Sequence, residues 1–166
     1  MPNDILDDFA EYVLVHNLTR GTSEYWDARR EFIGEAVNND FERFFGHDEA
    51  SLSAWQGICR TVGLKKVDKL TTVAKCRKAL YPVHVNIIDL VIAAKRGNTC
   101  RRFPTREACA QYTREEDKTY PLEWAKDNPL LRRFLVHVYN KPRPRAPAAL
   151  PATAPLTAYI TEVPDT

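Results

Sequence analysis

The chain of 166 residues is long enough for a substantial core, and its 44% hydrophobic and 28% charged residues are usual for one globular domain. The total charge of +2 excludes a strongly basic or acidic protein. The sequence shows neither the roughly 20 consecutive apolar residues of a membrane span nor the basic and apolar segments of a secretion signal. We therefore expect a cytoplasmic or nuclear protein, without a membrane partner and with free cysteines.

Apolar residues that recur with helical spacing predict about six helices, which glycine or proline residues separate. They are expected at residues 4–18, from 22 or 23 to about 45, from 48 or 51 to 62, from about 68 or 71 to 80, at 84–96 and at 129–139. Asn3 is the expected N-terminal cap of the first helix, and Thr22 or Ser23 that of the second. Two shorter helical segments are expected after Thr105 and Pro121.

The second and fifth of these helices are expected to form the core. The apolar stripe of the second helix consists of Trp26, Phe32, Ile33, Val37, Phe41, Phe44 and Phe45. The fifth, residues 84–96, is the most apolar window in the chain, and a helix that is apolar nearly all round belongs inside a bundle. At about 18 Å it is too short to cross a membrane.

Beyond residue 140 the composition changes, because six of the eleven prolines lie in residues 141–166. Such a segment cannot bury enough apolar surface to offset the entropy of ordering it. The expected fold class is therefore all-α: a compact orthogonal bundle of about six helices in residues 1–140, followed by a disordered, proline-rich tail. Within the tail, Lys141–Pro147 has the basic-x-x-Pro-x-x-Pro spacing that SH3 grooves bind as polyproline II.

Charge is distributed unevenly along the chain. Residues 1–50 hold 4 basic and 12 acidic residues, whereas residues 51–140 hold 17 basic and 8 acidic ones. One interpretation is that the acidic third docks on the basic body, and the other is that the body presents a basic surface to an acidic partner or to nucleic acid. The candidate binding residues are Lys65, Lys66, Lys69, Lys75, Arg77, Lys78, Lys95, Arg96, Arg101 and Arg102.

The polar residues His84, Asn86 and Asp89 interrupt the apolar stretch of the central helix. Because Asn86 and Asp89 are three residues apart, we expect them on one helix face, with Arg77 or Lys78 as the cation that a buried carboxylate needs. A hydrogen-bonded clamp between two helices is the structural interpretation. A small acid–base or binding site is the functional interpretation.

Metal and cofactor motifs are missing from the sequence. The four cysteines form no Cys-x-x-Cys pair, the histidines are scattered, and no phosphate-binding glycine loop is present, so we expect neither a metal nor a cofactor. Cys100 precedes Arg101 and Arg102, which would favour its thiolate. We expect it to be a surface cysteine, either ordinary or reactive.

The order of several short elements resembles a family of short proteins from filamentous fungi and mushrooms whose function is not known. The elements that carry the resemblance are Arg20–Ser23, Arg30–Phe32, Phe41–Gly46, Leu52–Cys59, Cys76–Lys78, His84–Leu90, Phe103, Tyr112–Thr113, Lys118–Pro121, Ala125–Lys126 and Leu130–Arg132. The Trp-Gln-x-x-Cys and His-Val-Asn-Ile-Ile-Asp elements are the most specific.

The resemblance covers roughly residues 5–140, so the tail falls outside it. Relatives carry Gly followed by Val-x-x-Phe after the central helix, and later Lys-x-Phe-Pro. This chain departs modestly, with Arg101 and Arg102 before Phe103 and with Tyr120 before Pro121. The resemblance implies a fungal, intracellular protein and no particular activity.

Three functions follow as hypotheses. The leading one is a non-enzymatic interaction or adaptor protein that binds an acidic partner through the basic region of residues 60–102. The alternatives are a helical module that binds nucleic acid and a small enzyme built on His84, Asn86 and Asp89. The first two require the basic side chains to share a surface, and the third requires a cleft beside the polar cluster.

Overall fold

The computed structural model describes residues 3–139, with side-chain surroundings for residues 3–136. Within this range the chain forms α1 (Ile5–Val15), α2 (Ser23–Phe45), α3 (Leu52–Thr61), α4 (Val73–Leu80), α5 (Ile87–Arg96), α6 (Arg106–Glu115) and α7 (Pro129–Tyr139). Two 3-10 helices, Val67–Lys69 and Leu122–Asp127, lie in the connections. The described residues contain no β-strand, so the all-α prediction is confirmed.

Both shorter segments that were expected beside the six main helices are helical. The short segment after Thr105 is a full α-helix of 10 residues, because the Thr105 hydroxyl caps it and Cys109 anchors it in the core. The segment after Pro121 is a 3-10 helix. The tail expected at residues 141–166, including the Lys141–Pro147 motif, lies outside the described residues. None of the described helices is long and apolar enough to cross a membrane.

Side-chain caps set where the helices begin. Asp4, not Asn3, caps α1, because its carboxylate accepts hydrogen bonds from the backbone amides of Leu6 and Asp7. The expected cap at Thr22 is confirmed, since its hydroxyl accepts from the amide of Tyr25 at 3.3 Å.

The core forms where α2, α3 and α5 meet. Helix α5 packs against α2 and α3, α4 packs on α3, and α1 packs on α2. As expected, α5 lies in the core, and it buries Ile87, Ile88, Leu90 and Val91 almost completely. Each such side chain stabilises the fold by about 1.5–3 kcal/mol relative to an exposed position.

The aromatic stripe of α2 is only partly buried. Ile33, Val37 and Phe41 are fully buried, but Trp26 and Phe44 are 38% and 36% exposed, so their assignment to the core was wrong. Both rings lie at the surface beneath arginine guanidinium groups, Arg20 over Trp26 and Arg43 over Phe44.

Helix α5 begins at Ile87 instead of His84. Asn86 has extended backbone angles, and its side chain caps the helix. His84 lies before the cap, where its carbonyl oxygen accepts a hydrogen bond of 2.9 Å from the amide of Phe103. The first residues of the apolar window therefore bind the segment before α6.

Candidate functional site

The connection between α3 and α4 is held against α3 while its lysines remain exposed. Arg60 forms an ion pair of 2.9 Å with Asp68, and the Gln56 amide donates a hydrogen bond of 3.0 Å to the carbonyl of Leu70. Lys65, Lys66 and Lys69, which lie in this connection, are all exposed. The backbone that carries these lysines is therefore held by contacts of Asp68 and Leu70, and the lysine side chains take no part in them.

Helix α4, which follows this connection, carries two more exposed lysines. Lys75 and Lys78 are three residues apart and hence neighbours on the helix surface, and both are exposed. The Lys75 ammonium donates to the hydroxyl of Thr71 at 3.1 Å, a neutral partner that leaves its charge uncompensated. On the opposite side, Cys76 and Leu80 are buried against the core.

A backbone hydrogen bond brings two arginines toward this connection. The amide of Cys100 donates to the carbonyl of Thr61 at 2.7 Å, so the segment before α6 lies along the end of α3. Arg101 and Arg102, which follow at once, are exposed. The guanidinium of Arg101 lies 4.8 Å from the ring centre of Phe103, which restrains its direction.

Seven basic side chains on these segments are exposed, and we use the name basic surface for them: Lys65, Lys66, Lys69, Lys75, Lys78, Arg101 and Arg102. Among the described residues, no carboxylate lies within ion-pairing distance of any of them. The remaining expected members are placed differently. Arg96 pairs with Asp4 at 3.8 Å, Lys95 is half-buried, and Arg77 is half-buried with its Nε shielded from solvent.

The carboxylates of the acidic third make few ion pairs with the basic body. In the described residues, its carboxylates pair with that body twice, Asp4 with Arg96 and Glu49 with Arg133 at 3.4 Å. Both contacts lie outside the basic surface. Docking of the acidic third therefore leaves the charge of the basic surface uncompensated.

Asn86 joins three parts of the chain through one amide. Its oxygen accepts from the backbone amides of Ile88 and Asp89, and its nitrogen donates to the Thr113 hydroxyl at 2.9 Å and to the Lys118 carbonyl at 3.0 Å. The side-chain amide has two donors and two acceptor positions, and all four are used. Asn86 has no hydrogen-bonding capacity left for a substrate.

The cation that pairs with Asp89 is Lys118, at 2.8 Å, and not Arg77 or Lys78 of the preceding helix. The side chains of Asp89 and Lys118 are only 14% and 19% exposed. Lys118 also donates to the hydroxyl oxygen of Tyr112 at 2.6 Å. This pairing, distant in sequence, compensates the charge of a carboxylate that burial would otherwise penalise, although among the described residues its second oxygen, Oδ2, is buried without a hydrogen-bond partner.

We call this group of residues the polar clamp: Asn86, Asp89, Tyr112, Thr113 and Lys118. Burial lowers the pKa of Lys118, but its hydrogen bonds to Asp89 and Tyr112 outweigh this effect, so the pKa is raised above 10.5. Burial, together with the nearby Asp89 carboxylate, raises the pKa of Tyr112. Both groups therefore keep their protons near neutral pH, and Lys118 remains a cation beside Asp89.

Helix α2 holds the other side of the loop that carries Lys118. The buried guanidinium of Arg29 donates to the carbonyls of Asp117 and Thr119 at 2.6 and 3.0 Å. Asn38 accepts from the Tyr120 hydroxyl and donates to the carbonyl of Trp124. The loop is thus fixed between α2 and α5 from both sides.

Cys100 is not a surface cysteine. Its side chain is buried, and burial, with a further contribution from Asp89, raises the pKa of its thiol to about 12. The adjacent Arg101 and Arg102 are exposed, and the guanidinium of Arg101 lies over the rings of Phe103 and Tyr112. The expectation of a surface cysteine at this position was therefore wrong, and burial disfavours the thiolate there.

Lys118, Tyr112 and Thr113 were missed as partners of the central helix because they lie 23 to 32 positions from Asp89 and Asn86 along the chain. A search for a cation near a buried carboxylate in sequence finds Arg77 and Lys78 first. The available signal was the resemblance, which includes both Tyr112–Thr113 and Lys118–Pro121.

Comparisons with protein-family models, with curated proteins and with solved structures found no match. The resemblance to fungal proteins therefore stays a prediction. Among residues 3–136, no three histidine, cysteine, aspartate or glutamate side chains lie close enough together to hold a metal ion.

Proposed function

We propose that this chain is a non-enzymatic interaction protein that binds an acidic partner protein through the basic surface. The observation that carries the proposal is the set of seven exposed cations without a carboxylate partner in the described residues. Elsewhere in the same region cations are paired, as Arg60 is with Asp68 and Arg96 with Asp4. An uncompensated cluster attracts and orients an anionic partner.

The composition of the basic surface favours carboxylates distributed along a protein. Five of its members are lysines, which act as flexible point charges and do not enforce the planar, two-pronged geometry of arginine. The arginine closest to aromatic rings, Arg101, lies against Phe103 and Tyr112. Those rings are consequently covered on that side and offer no open platform for stacking a base.

The test is the fluorescence anisotropy of three labelled probes titrated with the full chain: an oligoglutamate peptide, single-stranded DNA and RNA. Each titration is run at low and at near-physiological salt. We expect every probe to bind less tightly as salt rises and the peptide to be the tightest of the three at near-physiological salt. If an oligonucleotide binds more tightly than the peptide at near-physiological salt, the partner is nucleic acid and not a protein. If no probe binds even at low salt, the proposal is wrong.

A charge-matched pair of variants shows whether the basic surface is responsible. K75E/K78E reverses two exposed cations of α4, and K126E/R132E reverses two exposed cations outside the basic surface. Both change the net charge equally. We expect the first to weaken peptide binding at least tenfold and the second to weaken it less than threefold, whereas equal losses would indicate that only the total charge matters.

The polar clamp supports no second function, because its central amide is fully used and its charges are paired internally. An intracellular, cytoplasmic or nuclear location and a fungal source remain parts of this proposal. The free state of all four described cysteines is consistent with a reducing compartment.

A further inference from the structure

Two buried cysteines face each other where α3 packs on α4. Cys59 and Cys76 are both fully buried. The Cys59 sulfur lies 3.9 Å from the carbonyl oxygen of Cys76, and the pKa of each thiol depends on the other. Disulfides join cysteines on elements that already approach this closely.

Neighbouring contacts hold this pair in place. The Cys76 thiol donates to the carbonyl of Leu70 at 3.8 Å, and the Gln56 amide donates to the same carbonyl at 3.0 Å. Both sulfurs therefore belong to one packed contact between α3, α4 and the connection that joins them.

We propose that Cys59 and Cys76 form an oxidation site, at which a peroxide converts the two thiols into a disulfide that joins α3 to α4. Cys76 reacts first: its sulfur takes one oxygen from hydrogen peroxide to give a sulfenic acid and one water. The Cys59 sulfur then attacks the Cys76 sulfur, the S–O bond breaks, and a second water leaves with the Cys59 proton. In total, two thiols are oxidised and one peroxide is reduced to two waters.

The order of the two steps follows from the environment of each sulfur. Burial raises the pKa of both thiols, and that of Cys59 reaches about 12. The Cys59 thiol lowers the pKa of Cys76 by hydrogen bonding to it, so Cys76 is the more readily ionised of the two. Since both are shielded, oxidation requires local opening of the short helix α4, and it should be slow.

The disulfide would close a loop with ends 17 positions apart. This loop contains Lys65, Lys66, Lys69 and Lys75, which make up more than half of the basic surface. Oxidation would thus restrain the segment that carries these lysines. The proposal itself rests on the thiol pair alone and holds whether or not the basic surface binds a partner.

The experiment exposes the full chain to hydrogen peroxide in urea concentrations below the unfolding midpoint, blocks remaining thiols and maps disulfides by mass spectrometry without reduction. We expect a Cys59–Cys76 crosslink that forms faster as urea promotes local opening. We also expect the oxidised chain to melt higher by roughly 5–10 °C, an effect that a reductant reverses.

Two variants identify the pair. C100A/C109A should still form the crosslink, and C76A should form none and show no peroxide-dependent rise in melting temperature. Recovery of Cys59 and Cys76 as thiols after prolonged exposure would overturn the proposal, as would their capture as sulfinic acids or in bonds to Cys100 or Cys109. The wild-type map alone decides between these outcomes, even where a variant folds poorly.

Discussion

The polar clamp and the basic surface are both rich in charged and polar side chains, but they use them in opposite ways. In the polar clamp, Lys118 is 19% exposed, pairs with Asp89 at 2.8 Å and binds Tyr112 as well. In the basic surface, Lys75 and Lys78 are exposed and have no carboxylate partner in the described residues. Burial decides the difference, since an unpaired charge is costly inside a protein and nearly free in water.

This comparison separates residues that hold the fold from residues available to a partner. Removing a charge from the polar clamp should destabilise the protein, because a buried group loses its partner. Reversing a charge in the basic surface should leave stability almost unchanged and alter binding. The following variants test the two halves of this statement in order of decreasing effect on stability.

The largest effect is expected for Lys118→Met, which leaves the Asp89 carboxylate nearly buried and without its cation. We expect the free energy of unfolding to fall by about 3 kcal/mol, measured by urea denaturation. The double variant D89N/K118M removes the stranded charge as well and should recover part of the loss. A change below about 0.5 kcal/mol for the single variant would show that the pair contributes little.

A second test concerns the packing of Trp124, in the 3-10 helix Leu122–Asp127, against Gly34 of α2. At Gly34, a β-carbon would lie 2.6 Å from Trp124 Cδ2, so Gly34→Ala should destabilise the protein by about 1–3 kcal/mol despite its better helix propensity. Gly57 is the matched control within α3, where the nearest atom outside the helix, Phe45 Cδ1, is 3.6 Å away. Gly57→Ala should stabilise by about 0.5–1 kcal/mol, and equal effects at both sites would contradict the close packing.

A third test uses pH. Burial raises the pKa of the Cys59 and Cys100 thiols from 9.0 to about 12, so the folded protein keeps both protons where the unfolded chain loses them. Their contribution to stability is complete below pH 9.0 and is lost progressively as the pH rises toward 12. Each thiol should reduce the free energy of unfolding by about 1 kcal/mol per pH unit in that window.

Urea midpoints at intervals above neutral pH measure this slope. In Cys59→Ala, the decrease in the free energy of unfolding per pH unit should be smaller by about 1 kcal/mol, the contribution of one thiol. This difference does not depend on how stable the variant is at neutral pH. A slope that is the same in wild type and variant would mean that Cys59 ionises as freely in the folded protein as in the unfolded chain.

The smallest effect on stability is expected for K75E/K78E in the basic surface. Both side chains are exposed and unpaired among the described residues, so the free energy of unfolding should change by less than about 0.5 kcal/mol. Urea denaturation of K75E/K78E and of Lys118→Met under the same conditions compares the two changes in the free energy of unfolding. A loss comparable to that of Lys118→Met would mean that these lysines support the fold.

Local patterns in the sequence were sufficient for much of the fold. Thr22, Ser51 and Thr105 each cap a helix through their side chains, and apolar spacing located every α-helix to within a few residues. Caps and spacing act over one or two turns, so the sequence contains them locally. The misplaced start of α5 has the same origin, since Asn86 was counted within the helix that it caps.

The contacts of the candidate sites were not local and could not be predicted in the same way. The pairing of Asp89 with Lys118 joins positions 29 apart, and the bond between Cys100 and Thr61 joins α3 to the segment before α6. Burial of Cys100 likewise depends on packing between distant elements, so its neighbours in sequence, Arg101 and Arg102, suggested the wrong environment. By contrast, the exposure of the five lysines of the basic surface is what their charge alone predicts.

The most direct test of the central claim is a titration of oligoglutamate into the isotopically labelled full chain, followed by the chemical shifts of backbone amides. The account predicts that the largest changes fall on residues 64–78 and on Arg101 and Arg102, while Asn86 and Thr113 of the polar clamp stay unchanged. The largest changes at the polar clamp, or small changes spread evenly over the chain, would contradict the assignment of the basic surface as the binding site.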